Sequence, residues 1–570
     1  MTESKKRKYY SPAKQGGNVL RIIPIGGQEE VGRNMTIFEY GNDIVIIDMG
    51  VQFPEEDMPG IDYIIPNINY LHGREKNIRA VVFTHGHLDH IGAAPILLEK
   101  LGNPTIVGRP LTLALLKNRQ EDYKKGTAGR LKAITVKSVQ DIFFFGQFIV
   151  KFFPVDHSIM DAVGVILETP NGTVIHPGDW TYEKDPVGRA PVTYHHLSQL
   201  RKPTILMLES LGAVARGRRV PEKVMYENLH QLISDAPGRI IIGTFSSQIE
   251  RIKHVLEYAQ EIGKKVALDG YSMRMNVQVA QQLGYIKIKR EALIGIDKIH
   301  QFPENRIIVV CTGAQGESNA VLSRIINGSH RFIKIKKNDT IVFSSSVIPG
   351  NERSIQRLKD NLYRLSDNVV HSDIMDVHSG GHSNPEDILE VVSQIRPTYF
   401  LPVYGNHYFH KEAAKLVMRR GFPKENIFVL DNGSVLEIGA GHPRVLPKKV
   451  PSDYVFVDGL GIGDVSNVVL RDRQQLAGDG MFVIIVTIDD ETGTIIGEPD
   501  IISRGFIYMK HSRLLVDQVK KKVKKILTDQ KPQAKADEMY IKNIIRDQIG
   551  QFLFSKTERR PMVMPVVIEV

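Results

Sequence analysis

The stretch 84-THGHLDHIG-92 sets His85, His87, Asp89 and His90 within six residues, directly behind the apolar run 79-RAVVF-83. Alternate residues at the end of an extended segment face the same side. His85 and His87 can therefore aim at one cation, while Asp89 and His90, just beyond, can face a second. Imidazole and carboxylate donors suit Zn²⁺ or Mn²⁺ and do not indicate an iron–sulfur site. The competing reading is a solvated polar loop, which rarely gathers four ligand-type residues so tightly. Two such ions need more donors, and later apolar runs end in them. His157 closes 152-FFPVDH-157 and Asp179 closes 173-TVIHPGD-179. An aspartate there can bridge two cations with one oxygen on each. Taken singly, a strand-end histidine is more often structural; the order of the set favours ligation.

The segments around this motif are short apolar runs bounded by Gly, Asp and Asn. Before it come 19-VLRIIPI-25, 35-MTIFEY-40 and 44-IVIID-48; after it come 147-QFIVKFFPV-155, 164-GVILETP-170, 173-TVIHPG-178 and 204-TILMLES-210. These read as strands, with helices at 94–101 and 110–125. Strands grouped in blocks predict layers of an α/β sandwich, not a doubly wound parallel sheet. From residue 221 the rhythm changes. Helix 221–236, strand 239–245, helix 247–263 and strand 265–270 alternate, and strands at 307–313 and 340–346 continue the series. That is the pattern of a parallel α/β domain. The first style resumes at 374-IMDVHSGGH-382, 398-TYFLPVYG-405 and 427-IFVLDNG-433, so the parallel module reads as an insertion.

The expected organisation is a disordered basic arm at 1–17, a sandwich over 18–220 and 374–440 split by an inserted domain at 221–373, a Pro-rich linker at 441–453, and a small C-terminal α/β domain at 454–570. Within the last, 481-MFVIIVTI-488 reads as a strand. A helix is predicted near 512–527, with Val516, Val519, Val523 and Ile526 on its apolar face and Lys520, Lys521, Lys522, Lys524 and Lys525 crowding the rest.

Composition bounds the class. The chain has 570 residues, 42% hydrophobic and 24% charged, with a formal net charge of +10. That permits a polyanionic partner without requiring one. The single cysteine, Cys311, excludes an intrachain disulfide framework and fits a reducing compartment. No apolar run approaches the ~18–20 residues of a membrane span, and the basic N-terminus lacks a signal peptide's apolar core. A cytoplasmic location without membrane attachment is the expectation.

The order HxHxDH, His157, Asp179 resembles the metallo-β-lactamase superfamily. The resemblance implies a four-layer αβ/βα sandwich with two divalent ions, Zn²⁺ or Mn²⁺. His85, His87 and His157 would hold one, Asp89 and His90 the other, with Asp179 bridging and a water between them as nucleophile. The insertion resembles the β-CASP group of nucleases. The segments 23-IPIGGQEEVGRNM-35, 312-TGAQGES-318, 344-SSSVIPGNE-352, 469-VLRDRQQLAGDGMFVIIV-486 and 498-EPDIISRGFIYM-509 resemble the ribonuclease J family. That family implies 5′→3′ exonuclease and endonuclease action on single-stranded RNA, in RNA processing and decay. It also implies a pocket for a 5′-monophosphate, self-association into a homodimer or homotetramer through the C-terminal domain, and partners in RNA-decay complexes.

The same resemblance extends the site. Glu209 stands at the family's next acidic motif, usually Asp, and His382 in 378-HSGGH-382 at its motif histidine. A Glu209–His382 pair would make His382 a general acid, beside Asp89 and Asp179 as catalytic carboxylates. Read alone, Glu209 is a surface carboxylate before a loop. Gly- and Ser-rich strand ends offer N–H and hydroxyl donors to phosphate, which selects Gly313, Gln315, Ser344, Ser345 and Ser346, with His378, Gly380 and Gly381 in the motif loop. Ser246, Ser247 and Arg251 open a helix, another anion-favouring place. Ordinary turn chemistry explains any one of these equally well. Three positions depart from the family: Glu209 stands for Asp, Gly380 for the common Ser, and Tyr404 where a histidine usually binds the second ion. His407, three residues on, is the alternative ligand, and water or a weak second site are the others. Two rival functions remain: a non-catalytic RNA-binding scaffold serving an active paralogue, and a thioester or lactam hydrolase of the same superfamily.

Overall fold

The computed structural model describes residues 18–184, 186–187, 189–215, 219–317, 320–347, 351–465, 467–489, 494–508, 512–529 and 538–570. The basic arm at 1–17 lies outside them, as do Ser318 and residues 348–350 of the Gly- and Ser-rich turns.

Two sheets face each other. One runs, in spatial order, Arg444–Val445, Leu436–Ile438, Leu20–Gly26, Met35–Tyr40, Asp43–Ile47, Ile78–Val82, Ile106–Gly108 and Ala133–Thr135. The other runs Tyr399–Val403, Thr204–Glu209, Gly172–His176, Val163–Thr169, Phe148–Pro154 and Phe143–Phe145. Their inner faces share one core, in which Ile22, Phe38, Val45 and Val82 meet Val150, Val165, Val174, Met207 and Leu401. The outer face of the second sheet buries Ile166, Leu206 and Phe400 against Ile388, Val391 and Ile395 of helix Pro385–Ile395 and Ala413 and Val417 of helix His407–Arg419. Helix Pro110–Tyr123 packs by strands Ile106–Gly108 and Ala133–Thr135 of the first. These are the layers of an αβ/βα sandwich.

Most strands of both sheets are buried on two faces, so those read from the sequence appear as continuous apolar runs with limits right to within a residue or two. The short strands Ile106–Gly108, Ala133–Thr135 and Phe143–Phe145 are too brief to be read in this way. The run 427-IFVLDNG-433 is different. It makes only an isolated bridge, Ile427 to Phe400, and the strand that returns to the first sheet is Leu436–Ile438, paired with Leu20–Ile22. The stretch 374–382 is likewise a loop and not a strand.

The inserted module is an all-parallel sheet in the order Leu293–Ile294, Lys265–Asp269, Ile307–Cys311, Ile240–Gly243, Thr340–Phe343 and Val369–Val370. The helices expected between its strands run Glu222–Asp235 and Ile249–Glu261.

The chain divides into two compact units, the first taking residues up to Gln52 and Ile65–Tyr454, the second Phe53–Ile64 and Val455–Val570. Residues 53–64 thus pack with the C-terminal part, where Asp62 N–H donates to Val457 O (2.9 Å) and Ile61 and Ile64 bury against Phe456 and Leu470. Residues 441–453 stay with the first unit and include the edge strand Arg444–Val445. In the second unit, strand Met481–Ile488 lies between Ile495–Arg504 and Met562–Glu569. Helix Arg513–Asp529 buries Val516, Val519, Val523 and Ile526, the apolar face its spacing predicts.

One glycine ties the motif loop to the first sheet. Behind strand Asp43–Ile47, Met49 N–H donates to His90 O (2.7 Å), Val51 N–H to Leu88 O (3.1 Å) and Gly50 N–H to Asn34 O (2.9 Å). A Cβ on Gly50 would stand 1.5 Å from Asp89 O. Gly50→Ala is therefore expected to destabilise the sandwich by about 1–3 kcal/mol or more, since overpacking moves backbone and not a flexible side chain. Calorimetric melting checks this, and an unchanged melting temperature would contradict the packing described.

Candidate metal centre

Strand Ile78–Val82 delivers Thr84 and His85 to the rim of the sandwich. His87 caps the one-turn helix Leu88–Ile91 from an extended conformation (φ −72°, ψ 153°), which carries Asp89 and His90 round to a second direction. His157 follows strand Phe148–Pro154. Asp179 follows strand Gly172–His176 through Gly178 at φ +74°, whose missing side chain leaves room for Thr84.

These residues come together. His87 Nδ1 lies 3.1 Å from His85 Nε2 and 3.0 Å from His157 Nε2. Asp179 joins them, so that four ligand atoms lie within 4.8 Å of one another; Asp89, His90 and Asp179 form a second such group. Asp179 belongs to both, with Oδ1 3.3 Å from His90 Nε2 and Oδ2 3.9 Å from His157 Nε2. Burial, with neighbouring histidines, pushes the pKa values of His85 and His157 well below the usual range and that of His87 to about 4. All three rings are thus neutral, with a lone pair for a cation. At His90 burial works against the charge, but Asp179, Asp89 and Asp48 hold its pKa well above the ordinary value. Asp179 Oδ1 is buried and makes no hydrogen bond. Converging lone pairs and concentrated carboxylates fit divalent ions of the Zn²⁺ or Mn²⁺ kind.

A second layer orients the first. His157 Nδ1 donates to Gly381 O (2.7 Å) and His90 Nδ1 to Asp48 Oδ2 (2.8 Å), which leaves each Nε2 facing inward. Asp48 also accepts from Thr84 N–H and Thr84 Oγ1, both at 2.8 Å, and adopts φ +61°. Sequence reasoning missed it. Its signal was an aspartate ending the buried run 44-IVIID-48, the same pattern that exposed Asp179.

Tyr404 is buried against this layer, at φ +58°. Its hydroxyl lies 3.2 Å from His176 Nε2 and 3.4 Å from Asp48 Oδ2. Burial and the carboxylates of Asp48, Asp179 and Asp89 push its pKa well above that of a free phenol, so it stays protonated. His407 is elsewhere. It opens helix His407–Arg419, half-exposed, with Nδ1 3.0 Å from Asp431 Oδ1, and joins neither group of ligands.

Glu209 ends its strand buried, not on the surface, with Oε1 3.1 Å from His382 Nδ1. Burial raises its pKa. Burial opposes the charge on His382, yet Glu209 and Asp179 hold that imidazole up to about 9. His382 remains 43% exposed at the mouth of the site. Helix Pro385–Ile395 fixes its loop through a capping box between Asn384 and Asp387.

The phosphate-binding candidates separate into two kinds. Arg251 is buried and spent internally: its guanidinium donates to Ser344 O (2.7 Å), His378 Nδ1 (2.8 Å) and Ser379 O (3.1 Å). Ser344 is buried too, donating to Val377 O. Together they brace the 378–382 loop. Gln315 donates to Ser346 O (2.6 Å), joining the turns that carry Gly313 and Ser345. Ser246, Ser247, Ser346, Gly380 and Gly381 are at least partly exposed. Beside His157 opens a small pocket, lined among others by Arg219, Gln248, Glu222, Glu250, Ser379 and Gly380.

Comparison with known proteins agrees with this architecture. Residues 29–214 match the metallo-beta-lactamase superfamily, residues 237–362 the ribonuclease J beta-CASP domain, and residues 468–570 the ribonuclease J C-terminal domain. The chain is 36% identical to ribonuclease J 1 of Streptococcus pyogenes serotype M3 over 97% of its length and 98% of that protein. It is 33% identical to ribonuclease J2 of Bacillus subtilis over 97% and 99%. The crystal structure of a protein of unknown function from Enterococcus faecalis V583 superposes with a TM-score of 0.53 at 15% identity, covering 74% of this chain and all of that one, a likeness of fold.

Asp48→Asn keeps the side-chain shape and the left-handed backbone but removes the charge behind His90. It is expected to weaken retention of divalent ions about 10–100-fold. Elemental analysis after dialysis checks this, and wild-type metal content would contradict the role given to Asp48.

Proposed function

The chain belongs to the ribonuclease J family, and on that premise we propose that it degrades single-stranded RNA 5′→3′ from a 5′-monophosphate end and also cuts internally, in cytoplasmic RNA processing and decay. The observation that carries this reading is the placement of His85 Nε2 and His157 Nε2 within 3.1 Å of His87 Nδ1 beside Asp179, with the Glu209–His382 pair alongside. His85, His87, His157 and Asp179 would hold one divalent ion, and Asp89, His90 and Asp179 a second. Such ions, when bound, supply an activated water and neutralise charge on the phosphodiester.

The remaining work falls to the protein's own groups. Glu209 engages His382 Nδ1 at 3.1 Å, which leaves Nε2 of this exposed ring for the substrate. From there Nε2 can give its proton to the 3′-oxygen as the P–O bond breaks. Asp48 holds His90, and Gly381 holds His157, so neither ring needs to reorganise when substrate arrives. Gln248 and the backbone at Gly380 line the pocket beside His157, where a terminal phosphate would sit. The C-terminal unit is assigned to self-association into a dimer or tetramer, after the family.

Cleavage of one single-stranded RNA prepared with a 5′-monophosphate, 5′-triphosphate or 5′-hydroxyl end, with Mn²⁺ or Zn²⁺ supplied, tests the reading. Mononucleotide release is expected to favour the monophosphate and to vanish in Asp179→Ala. Binding without cleavage in either metal would contradict it and favour a scaffold that serves an active paralogue. His382→Ala is expected to keep its metal and lose about 10²–10⁴-fold in kcat. A wild-type rate would remove His382 as the acid.

A further inference from the structure

The two groups of ligands are unequal. Among the carboxylates and histidines of the described residues, the first offers four donors, the second only Asp89, His90 and Asp179. The Tyr404 hydroxyl is engaged by His176 and Asp48. We infer that Asn34 completes the second group, with its side-chain oxygen as a ligand to the cation between Asp89, His90 and Asp179. This rests on the dinuclear reading above and adds a residue to it.

Asn34 is 2% exposed. Its amide nitrogen lies 3.0 Å from His90 Nε2 and 3.4 Å from Asp89 Oδ2, two of the atoms that face the cation. His90 Nδ1 is occupied by Asp48, so Nε2 is the atom left for a metal. Asn34 Oδ1, in contrast, is buried without a hydrogen bond. It sits where a Cβ on Gly27 would be only 2.4 Å away, a place open because residue 27 is glycine. An amide N–H₂ aimed at a bound cation is repelled, whereas its oxygen is attracted. The terminal torsion of asparagine has two broad, nearly equivalent settings, and a half-turn exchanges the two atoms. The backbone holds the side chain in reach throughout: Asn34 N–H donates to Asp89 O (3.1 Å), and Asn34 O accepts from Gly50 N–H (2.9 Å).

The consequence is a chemical difference between the two positions. The first has three imidazole nitrogens and one carboxylate oxygen. With Asn34, the second has three oxygens and one nitrogen. Imidazole-rich sets suit Zn²⁺, and oxygen-rich sets suit harder ions such as Mn²⁺.

The full-length protein loaded with one equivalent of Zn²⁺ is titrated with Mn²⁺, free Mn²⁺ being read by electron paramagnetic resonance and bound Zn²⁺ by elemental analysis. The wild type is expected to take up one Mn²⁺ per chain and keep its Zn²⁺. Asn34→Ala is expected to bind Mn²⁺ about 10–100-fold more weakly with Zn²⁺ unchanged. Asn34→Asp, which places a carboxylate oxygen there, is expected to bind Mn²⁺ at least as tightly as the wild type. Equal Mn²⁺ affinity in Asn34→Ala and wild type overturns the inference. Should Asn34→Ala fail to fold, loss of Mn²⁺ binding in folded Asn34→Asp overturns it equally. A wild type that takes up no second ion overturns the dinuclear reading itself, and Asn34 with it.

Discussion

Four ligand atoms within 4.8 Å of one another, three of them ring nitrogens, form a donor set that a divalent cation stabilises. Water cannot relieve the crowding, because His85, His157 and Asp179 are buried. The carboxylates of Asp48, Asp89 and Asp179 add negative charge round the single imidazole of His90. Desolvated charge of this density is costly unless a counter-charge is supplied. The case for a divalent cation therefore rests on the side chains themselves, and the fold is the means of bringing them together.

The sandwich does so by ending several strands at one rim. Asp48, Thr84, His157, Asp179, Glu209 and Tyr404 each follow or close a strand whose core faces are apolar on both sides. Hydrophobic burial pays for the assembly, and the loops carry the chemistry. Two contacts convert that general arrangement into a fixed geometry. Asp48 collects Thr84 and His90 from one loop, and Gly50 lets the backbone of Asp89 come close. From the inserted module, Arg251 reaches the carbonyl of Ser379 and the ring of His378, bracing the loop whose next residues hold His157 and carry His382. A residue read as an RNA contact thus has a demonstrated internal use.

Much of this was legible because buried strands announce themselves. Runs such as 44-IVIID-48 and 481-MFVIIVTI-488 gave their limits closely, and the HGHLDH motif declared its chemistry by composition alone. The less legible parts depend on tertiary placement. Ile427–Gly433 has a strand's composition but makes only one bridge, to Phe400 of the second sheet, while the strand that returns to the first sheet is Leu436–Ile438. Residues 53–64 carry turn and charge signals such as Glu55, Glu56, Pro59 and Gly60, but none of these tells that the segment packs with the C-terminal unit. Asp48 and Asn34 escaped notice because a lone Asp or Asn after a strand is ordinary turn chemistry until its neighbours are known. His407 was attractive by spacing to Tyr404, yet a helix start turns it outward to Asp431.

X-ray absorption at the zinc edge, on the protein carrying one equivalent of Zn²⁺, tests the central claim most directly. A shell of about three imidazole nitrogens and one oxygen near 2.0–2.1 Å, lost in His157→Ala, is the predicted result. A shell of oxygens without imidazole scattering would contradict it, and the histidine cluster would then need another explanation.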